Sequence, residues 1–332
     1  MTQSGDSPWK EIIEQLLEEF LQLLFPDLED RIIWSNGHKF YDKELDKLWE
    51  DTGCASVVKL VKVQIQSKDH WLLLHFVTQV PANELVGGKH YYEAFEDGVF
   101  MNHLRVRAHY KQPVTSVVVL GVNNLAWRPL PYKEEEFDCW LHFGFPVRRL
   151  VDFAYNCAAL ERSRNPVAFA ILAHLQAQET KNSPLQRKLG KWELWQLLQK
   201  KNYPRKQTEL LSRFLARTLS LPAEYEAEFQ QVVTHGANAK LRRELQQRKA
   251  TEARKEQKDI EDFRELIEME LQIRFEDVPA TLLEQVKHLS DVSQLHKLER
   301  RACKSPTLAS FVKAFNNLSG TPSRRTSPMN TN

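Results

Sequence analysis

Two consecutive apolar, β-branched runs place the strongest constraint on the fold of this chain. The first, "VVKLVKVQI", covers Val57 to Ile65, and the second, "WLLLHFVTQ", covers Trp71 to Gln79, with a short polar break between them. Runs of this length and composition, separated by a few polar residues, are typical of two strands joined in a β-hairpin. The fold must therefore contain a sheet that includes this hairpin.

The segments around the hairpin predict a mixed α/β core. Upstream, "PWKEIIEQLLEEFLQLLFPDL" has apolar residues at helical spacing and predicts an amphipathic helix that begins near Pro8 and stops at Pro26. Downstream, "HYYEAFEDGVFMNHLRVRAHY" predicts a second helix, and "SVVVLGV" predicts a strand buried on both faces. The residues expected to face inward from the second helix are Tyr92, Phe95, Val99, Met101 and Leu104. The order is helix, hairpin, helix, strand, and "FDCWLHFGFPV", residues 137–147, is expected to add one more strand.

The remainder of the chain is expected to be helical. Four prolines in residues 151–236 mark helix starts or breaks, namely Pro166, Pro184, Pro204 and Pro222. In "KWELW", Trp192 and Trp195 have the helical spacing of core or interface anchors, although tryptophans can also stack on bases. These patterns predict a core over 8–150 and a helical extension over 151–236.

The C-terminal part divides by charge. Residues 237–259 include "KLRRELQQRKATEARKEQKD", whose mixed charges and few apolar residues indicate a solvated helical linker, although its basic side chains could also contact phosphates. Apolar periodicity returns over 260–318, which predicts a small helical domain. Residues 319–332 have no apolar anchors and are expected to be disordered.

Composition excludes several classes of protein. The formal net charge is +2 over 332 residues, so any nucleic-acid footprint must be local. The four cysteines form no CxxC pair and no Cys/His cluster at zinc-ligand spacing, so reduced thiols are expected. No apolar run has the roughly 18 residues that a membrane span needs. The N-terminal residues lack the basic and apolar regions of a signal peptide. We therefore expect a cytoplasmic protein with no membrane partner.

These segments together resemble a known family. The succession "DSPWKEIIEQLLEEFLQLLFPD", "FYDKEL", "KLVKV", "WLLLHFVTQ", "VTSVVVLG" and "WLHFGFPVRRLVDF" is similar to the Rpn family of recombination-promoting nucleases and putative transposases, especially its cyanobacterial-type members. That family belongs to the PD-(D/E)XK nuclease superfamily. The final unit, from "ELIEMELQIRF" to "LHKLERRA", is similar to the C-terminal helical domain of unknown function in such proteins. The resemblance implies a PD-(D/E)XK nuclease-like core followed by an all-helical C-terminal part.

The resemblance also implies where metal-binding acids should lie. In this superfamily an Asp on the first hairpin strand and a Glu or Asp on the second bind Mg²⁺, and a Lys or Gln two residues later helps to place the attacking water. Carried onto this chain, the Asp position is Val58, the Glu position is Val77 and the Gln position is Gln79. A valine has no oxygen with which to coordinate magnesium. The vestigial site would consist of Gln79 with Glu44 and Asp42 from "FYDKEL" beside Val58 and Val77, which should share one pocket.

Other titratable residues have weaker claims. Asp69 and Glu84 are expected at strand ends or in loops, where they would make poor metal ligands. Three histidines, His75, His103 and His109, could act as general bases, but without a paired spacing they are expected to have surface or core roles.

Three functions stay open at this point. The first is a catalytically degenerate Rpn-family protein, retained as a DNA-associated or protein-interaction module, for which no cofactor is expected. The second is an active Mg²⁺-dependent DNA endonuclease in which Glu44, Asp42 or other acids have replaced the lost ligands. The third is a regulatory partner that forms mixed oligomers with an intact family member. The expected partners are accordingly DNA, a second copy of the chain or that family member.

Overall fold

The chain folds as a mixed α/β unit followed by a helical unit. The computed structural model describes residues 7–42, 56–66, 68–77, 85–86, 89–123, 127–236 and 239–319. It divides into two compact units, Met1–Gly236 and Ala237–Asn332. The mixed α/β class expected from the sequence is confirmed.

The first unit is organised by a five-stranded mixed sheet of order β1-β2-β3-β6-β9. Its strands are β1 (Lys39–Phe40), β2 (Ser56–Ile65), β3 (Lys68–Val77), β6 (Val114–Leu120) and β9 (Val147–Arg149). Strands β2 and β3 pair antiparallel from Ser56↔Val77 to Ile65↔Lys68, which is the predicted hairpin. Strand β6 runs parallel to β3, as expected of a connection that passes through a helix. A small pair, β4 (Leu85–Val86) with β5 (Lys89–His90), lies before that helix.

The N-terminal helices cover one face of this sheet. Helix α1 (Pro8–Gln15) and helix α2 (Leu17–Leu24) are separated at Leu16, where the backbone departs to φ −131° and ψ 39°. The single predicted helix is therefore two helices, although the amide of Leu16 still donates to the carbonyl of Ile12 over 2.9 Å. Pro26 begins a further short helix, α3 (Pro26–Glu29). The buried side chains of α1 and α2 share one hydrophobic core with the facing residues of β2, β3 and β6.

Helix α4 (Tyr91–Tyr110) covers the other face and connects β3 to β6. Its buried residues include Phe95, Val99 and Val106, which recur along one side of the helix. Met101 and Leu104 are 39% and 40% exposed, so the expectation that they face inward was wrong. They lie roughly 200° and 140° around the helix from Val99, on the solvent side.

The segment after β6 differs from the single added strand that was predicted. Residues 132–143 form a separate two-stranded hairpin of β7 (Tyr132–Glu136) and β8 (Cys139–Phe143), and only Val147–Arg149 joins the main sheet. The turn residues Phe137 and Asp138 have φ values of 48° and 60°. Two left-handed residues in a row define a type I′ turn, which normally uses Asn or Gly, so the sequence offered no turn signal here.

The rest of the first unit is helical, as predicted. The helices are α5 (Cys157–Arg162), α6 (Pro166–Glu179), α7 (Pro184–Lys200), α8 (Arg205–Thr218) and α9 (Ala223–His235). Pro166 and Pro184 are first residues of their helices, and Pro204 and Pro222 are N-caps. Helices α6 and α8 pack into the same core as α1 and the sheet, so the residues of 8–150 and 151–236 are not separated by a gap in packing.

Over residues 239–319, the second unit forms four helices, α10 (Ala239–Arg274), α11 (Ala280–Lys287), α12 (Val292–Lys304) and α13 (Leu308–Ser319). The charged segment predicted as a helical linker forms the first part of α10, and most of its residues are exposed. The core of the unit comes from the second part of α10 and from the three later helices. The guanidinium of Arg274 donates to the carbonyls of Ala302 and Ser305, each over 3.0 Å, and so holds the end of α12. The predicted disordered tail lies outside the described residues from residue 320 onward.

Candidate functional site

Val58 and Val77, the positions expected of metal-binding acids, lie on the sheet face that α4 covers. Val58 pairs with His75 across the β2–β3 hairpin, and Val77 is two residues beyond His75, so all three point to one face. Val77 is fully buried and packs with Phe95 of α4. Val58 is half-buried and packs in a separate apolar cluster, whose buried members are Leu60, Trp71, Leu73 and Val106. The two valines therefore share a face of the sheet, and each packs in its own apolar cluster.

Asp42 lies on the opposite face of the sheet. The amide of Tyr41 donates to the carbonyl of Leu60 over 2.8 Å, which extends the β1–β2 pairing by one residue and brings Asp42 beside Lys59. Lys59 follows Val58 directly in β2, so its side chain points to the other face, towards α1. The structure therefore does not bring Asp42 together with Val58 and Val77.

Asp42 instead belongs to a buried lysine–carboxylate cluster formed by Lys59, Asp42 and Glu14. The ammonium of Lys59 donates to the carboxylates of Glu14, in α1, and of Asp42. Only 1% of the Lys59 side chain is exposed, whereas those of Glu14 and Asp42 are 36% and 32% exposed. The ammonium also lies 5.7 Å from the centroid of the Phe40 ring. The cluster is thus a buried cation paired with two acids that reach solvent.

The cluster has the chemical groups of an acid-and-lysine site. In their ordinary ionised forms its members carry two negative charges and one positive charge, so the cluster has a net negative charge. One carboxylate oxygen of Asp42, Oδ1, is buried and accepts no hydrogen bond from any described residue. Carboxylate oxygens are hard ligands that suit Mg²⁺, and a lysine beside them can hold a water or a phosphate oxygen.

Sequence reasoning missed Glu14 and Lys59. Residues 14, 42 and 59 are far apart in the chain, and only the fold brings them together. One signal was present: Lys59 and Lys62 are three residues apart on one strand, and with a side-chain period of two they must point to opposite faces. Lys62 pairs with Asp69 over 2.6 Å at the surface, where both side chains are 33% exposed. Lys59, on the other face of the strand, is the buried lysine of the two.

The face under α4 also contains a polar cluster of His75, His103 and Ser116. The Nδ1 of His103 lies 3.0 Å from the hydroxyl of Ser116, which is buried in β6. Burial, with a smaller contribution from His103, lowers the pKa of His75 to about 3. Burial also lowers the pKa of His103, and the nearby Arg107 lowers it further. Both rings are therefore mainly neutral near pH 7. His109 lies on the exposed side of α4.

A second buried histidine, His174 of α6, joins α1 to the end of β6. The indole of Trp9 donates to Nδ1 of His174 over 3.2 Å, and Nε2 of the same ring lies 2.6 Å from the carbonyl oxygen of Gly121. Because Nδ1 accepts, Nε2 must be the protonated nitrogen of the neutral ring. Burial lowers the pKa of His174 to about 4. This histidine was not among the candidates that the sequence suggested.

The remaining candidates from the sequence are three polar residues and the two tryptophans of "KWELW". Gln79, Glu44 and Glu84 lie outside the described residues. Trp192 is buried in α7 and stacks on Trp195 with ring centroids 5.1 Å apart, so the two form an anchor within the fold.

The described residues contain neither a cluster of metal-ligating side chains nor a candidate membrane span. In those ranges no three His, Cys, Asp or Glu side chains are grouped so that they could hold a metal ion. No described helix has the length and apolar character to cross a membrane.

Comparison with known proteins adds no relative. Neither the family models nor the curated proteins nor the solved structures contain a match to this chain. Fold and geometry define it as a mixed α/β protein with a lysine–carboxylate cluster on one sheet face and apolar valines on the other.

Proposed function

We propose that this chain is a catalytically degenerate Rpn-family protein with a PD-(D/E)XK nuclease-like core, retained as a DNA-associated or protein-interaction module. The observation that supports it is the environment of Val58 and Val77. At both positions where the resemblance requires a metal-binding acid, an apolar side chain packs against apolar neighbours. The order helix, hairpin, helix, strand, with β6 parallel to β3, supports the proposed core.

One observation favours a second function, an active Mg²⁺-dependent endonuclease with relocated acids. Asp42, already a candidate from the sequence, lies with Glu14 around Lys59 and has one buried oxygen without a described partner. Two carboxylates and a lysine are the groups that such chemistry uses. In this alternative Asp42 and Glu14 would hold the metal, and Lys59 would orient water or phosphate. The third function, partnership with an intact family member, stays a prediction.

A plasmid-nicking assay with Mg²⁺ or Mn²⁺ distinguishes the two functions. The degenerate protein should produce no metal-dependent nicking at low millimolar metal, and isothermal titration should detect no specific metal binding. Nicking by the wild type that disappears in Asp42→Asn and Glu14→Gln would favour the relocated site. The matched control is Glu209→Gln, which removes a surface carboxylate that pairs with Arg205 over 2.7 Å.

A binding assay separates DNA association from protein interaction. Fluorescence anisotropy with a labelled duplex should show binding that weakens as salt rises, because contacts to phosphates release counterions. If no binding occurs at 50 mM salt, at a protein concentration of about 100 μM, which covers typical non-specific affinities, DNA association is refuted.

A further inference from the structure

The β7–β8 hairpin is anchored at its base and exposed at its tip. The rings of Tyr132 and Phe143, at its base, lie 4.4 Å and 5.4 Å from the ring of Phe100 on α4. At the tip Phe137 is 93% exposed, and Trp140, in β8, is 71% exposed. The hairpin is therefore held in position while its outer part presents large apolar side chains to solvent.

The two edges of this hairpin differ in charge. Strand β7 reads "YKEEE", with one lysine against three glutamates, whereas β8 reads "CWLHF" and contains no Asp, Glu, Lys or Arg. Neither strand has a further strand partner among the described residues. Soluble proteins commonly protect an open edge with charges or proline, and β8 has neither. The outer edge of β8 is therefore the one suited to pairing with another strand.

The register shows which backbone groups that edge offers. A two-residue turn is closed by a hydrogen-bonded pair, here Glu136↔Cys139, and the pairs then alternate along the ladder. Trp140 and His142 consequently direct their N–H and C=O groups away from β7. Cys139, Leu141 and Phe143 use theirs within the hairpin.

We infer that the β8 edge pairs with the β8 edge of a second copy of this chain. An antiparallel pair with its two-fold axis at Leu141 places Trp140 opposite His142 of the other copy, and each of these residues offers one donor and one acceptor to the other. The result is a four-stranded sheet of order β7-β8-β8-β7. Self-pairing satisfies both outward residues of each copy at once.

Charge favours a dimer formed through the β8 edges over a dimer formed through the β7 edges. In the four-stranded sheet the two acidic β7 strands are three strand spacings apart, about 14 Å, which exceeds the Debye length of about 8 Å at physiological ionic strength. Pairing through β7 would instead place two glutamate-rich strands about 5 Å apart. The acidic outer edges also oppose further addition, so the assembly should stop at a dimer. Because the contact is one five-residue strand per copy, the dimer should be weak and concentration-dependent.

Sedimentation velocity of the full chain over a concentration series tests this interface. The wild type should pass reversibly from monomer to dimer. His142→Pro removes the outward N–H of β8 and should raise the dimer Kd about tenfold or more, because each dimer loses two hydrogen bonds. The matched control is Lys133→Pro, because Lys133 is the cross-strand partner of His142 and directs its N–H from the β7 edge. A wild type that stays monomeric, a His142→Pro dimer of unchanged affinity, or equal weakening by both prolines would overturn the inference.

A cysteine at the axis gives an independent readout. In a Cys139→Ser background, Leu141→Cys places two thiols opposite each other at disulfide distance, and mild oxidation should yield a covalent dimer. Glu134→Cys, the cross-strand neighbour of Leu141 on β7, is the control and should cross-link no more than the background protein. Equal cross-linking of the two variants, or none from Leu141→Cys, would refute the two-fold arrangement.

Discussion

Removing the acids around Lys59 should destabilise the first unit more than removing Lys59 itself. The double variant Glu14→Gln/Asp42→Asn leaves an ammonium whose side chain is only 1% exposed without a carboxylate. Breaking a buried ion pair from one side costs about 3–5 kcal/mol, because the remaining charge is desolvated and uncompensated. Lys59→Met leaves two carboxylates that are each about a third exposed and can be hydrated. Lys59→Met should therefore lower the free energy of unfolding by roughly 1–2 kcal/mol.

Urea unfolding followed by tryptophan fluorescence measures this difference. All eight tryptophans precede residue 196, so the signal reports the first unit alone. The triple variant Lys59→Met/Glu14→Gln/Asp42→Asn should be more stable than the double variant, because it removes the isolated cation. Asp69→Asn, which breaks the surface pair with Lys62, is the control and should cost less than about 1 kcal/mol.

Two results would refute this reasoning. If Lys59→Met were as unstable as the double variant, the carboxylates rather than the lysine would be the poorly hydrated partners. If the triple variant were no more stable than the double variant, the loss would come from packing or hydrogen bonds and not from an uncompensated charge.

Three further predictions concern the interior of the first unit. Because burial lowers the pKa of His174 from 6.5 to about 4, the unfolded chain binds a proton that the folded chain rejects between those pH values. Stability should therefore fall as pH decreases through that window, by roughly 3 kcal/mol, and His174→Gln should make urea midpoints less pH-dependent. Gly121→Ala would place a Cβ 2.9 Å from the Phe76 ring and 3.2 Å from the carbonyl oxygen of Val77. It should lower the free energy of unfolding by about 1–3 kcal/mol, and an unchanged urea midpoint would contradict this packing. Val77→Glu should lower the free energy of unfolding by a few kcal/mol, and Val58→Asp should lower it by less, since only Val77 is fully buried. A larger loss for Val58→Asp in urea unfolding would contradict these environments.

Local sequence patterns predicted the elements of the first unit whose signals are strong. The β-branched runs predicted β2, β3 and β6, and the prolines predicted where α6 to α9 begin. The β7–β8 hairpin was missed because its turn, Phe137 and Asp138, uses residues that rarely adopt left-handed conformations. The exposed Met101 and Leu104 show a related weakness, since an apolar residue on a helix need not be on the face that packs.

The candidate site was less predictable because it depends on contacts between distant segments. Glu14 is one of several acids in an amphipathic helix, and nothing local distinguishes it from its neighbours. Its role follows only from the packing of α1 against the sheet, which places its carboxylate at the ammonium of Lys59. His174 was likewise inconspicuous until α6 brought it against Trp9.

The alternation of side chains along β2 separates the two proposed functions physically. Val58 and Lys59 are adjacent residues, so a ligand set around one cannot include the other without a one-residue slip of the strand. An acid introduced at Val58 would enter the face under α4, near His75, and would not meet Asp42. A relocated nuclease site would need further ligands from α1 or from the strand positions that share the face of Lys59. Variants of Asp42 and Glu14 therefore address the relocated site, and substitutions at Val58 and Val77 address the vestigial site on the other face of the sheet.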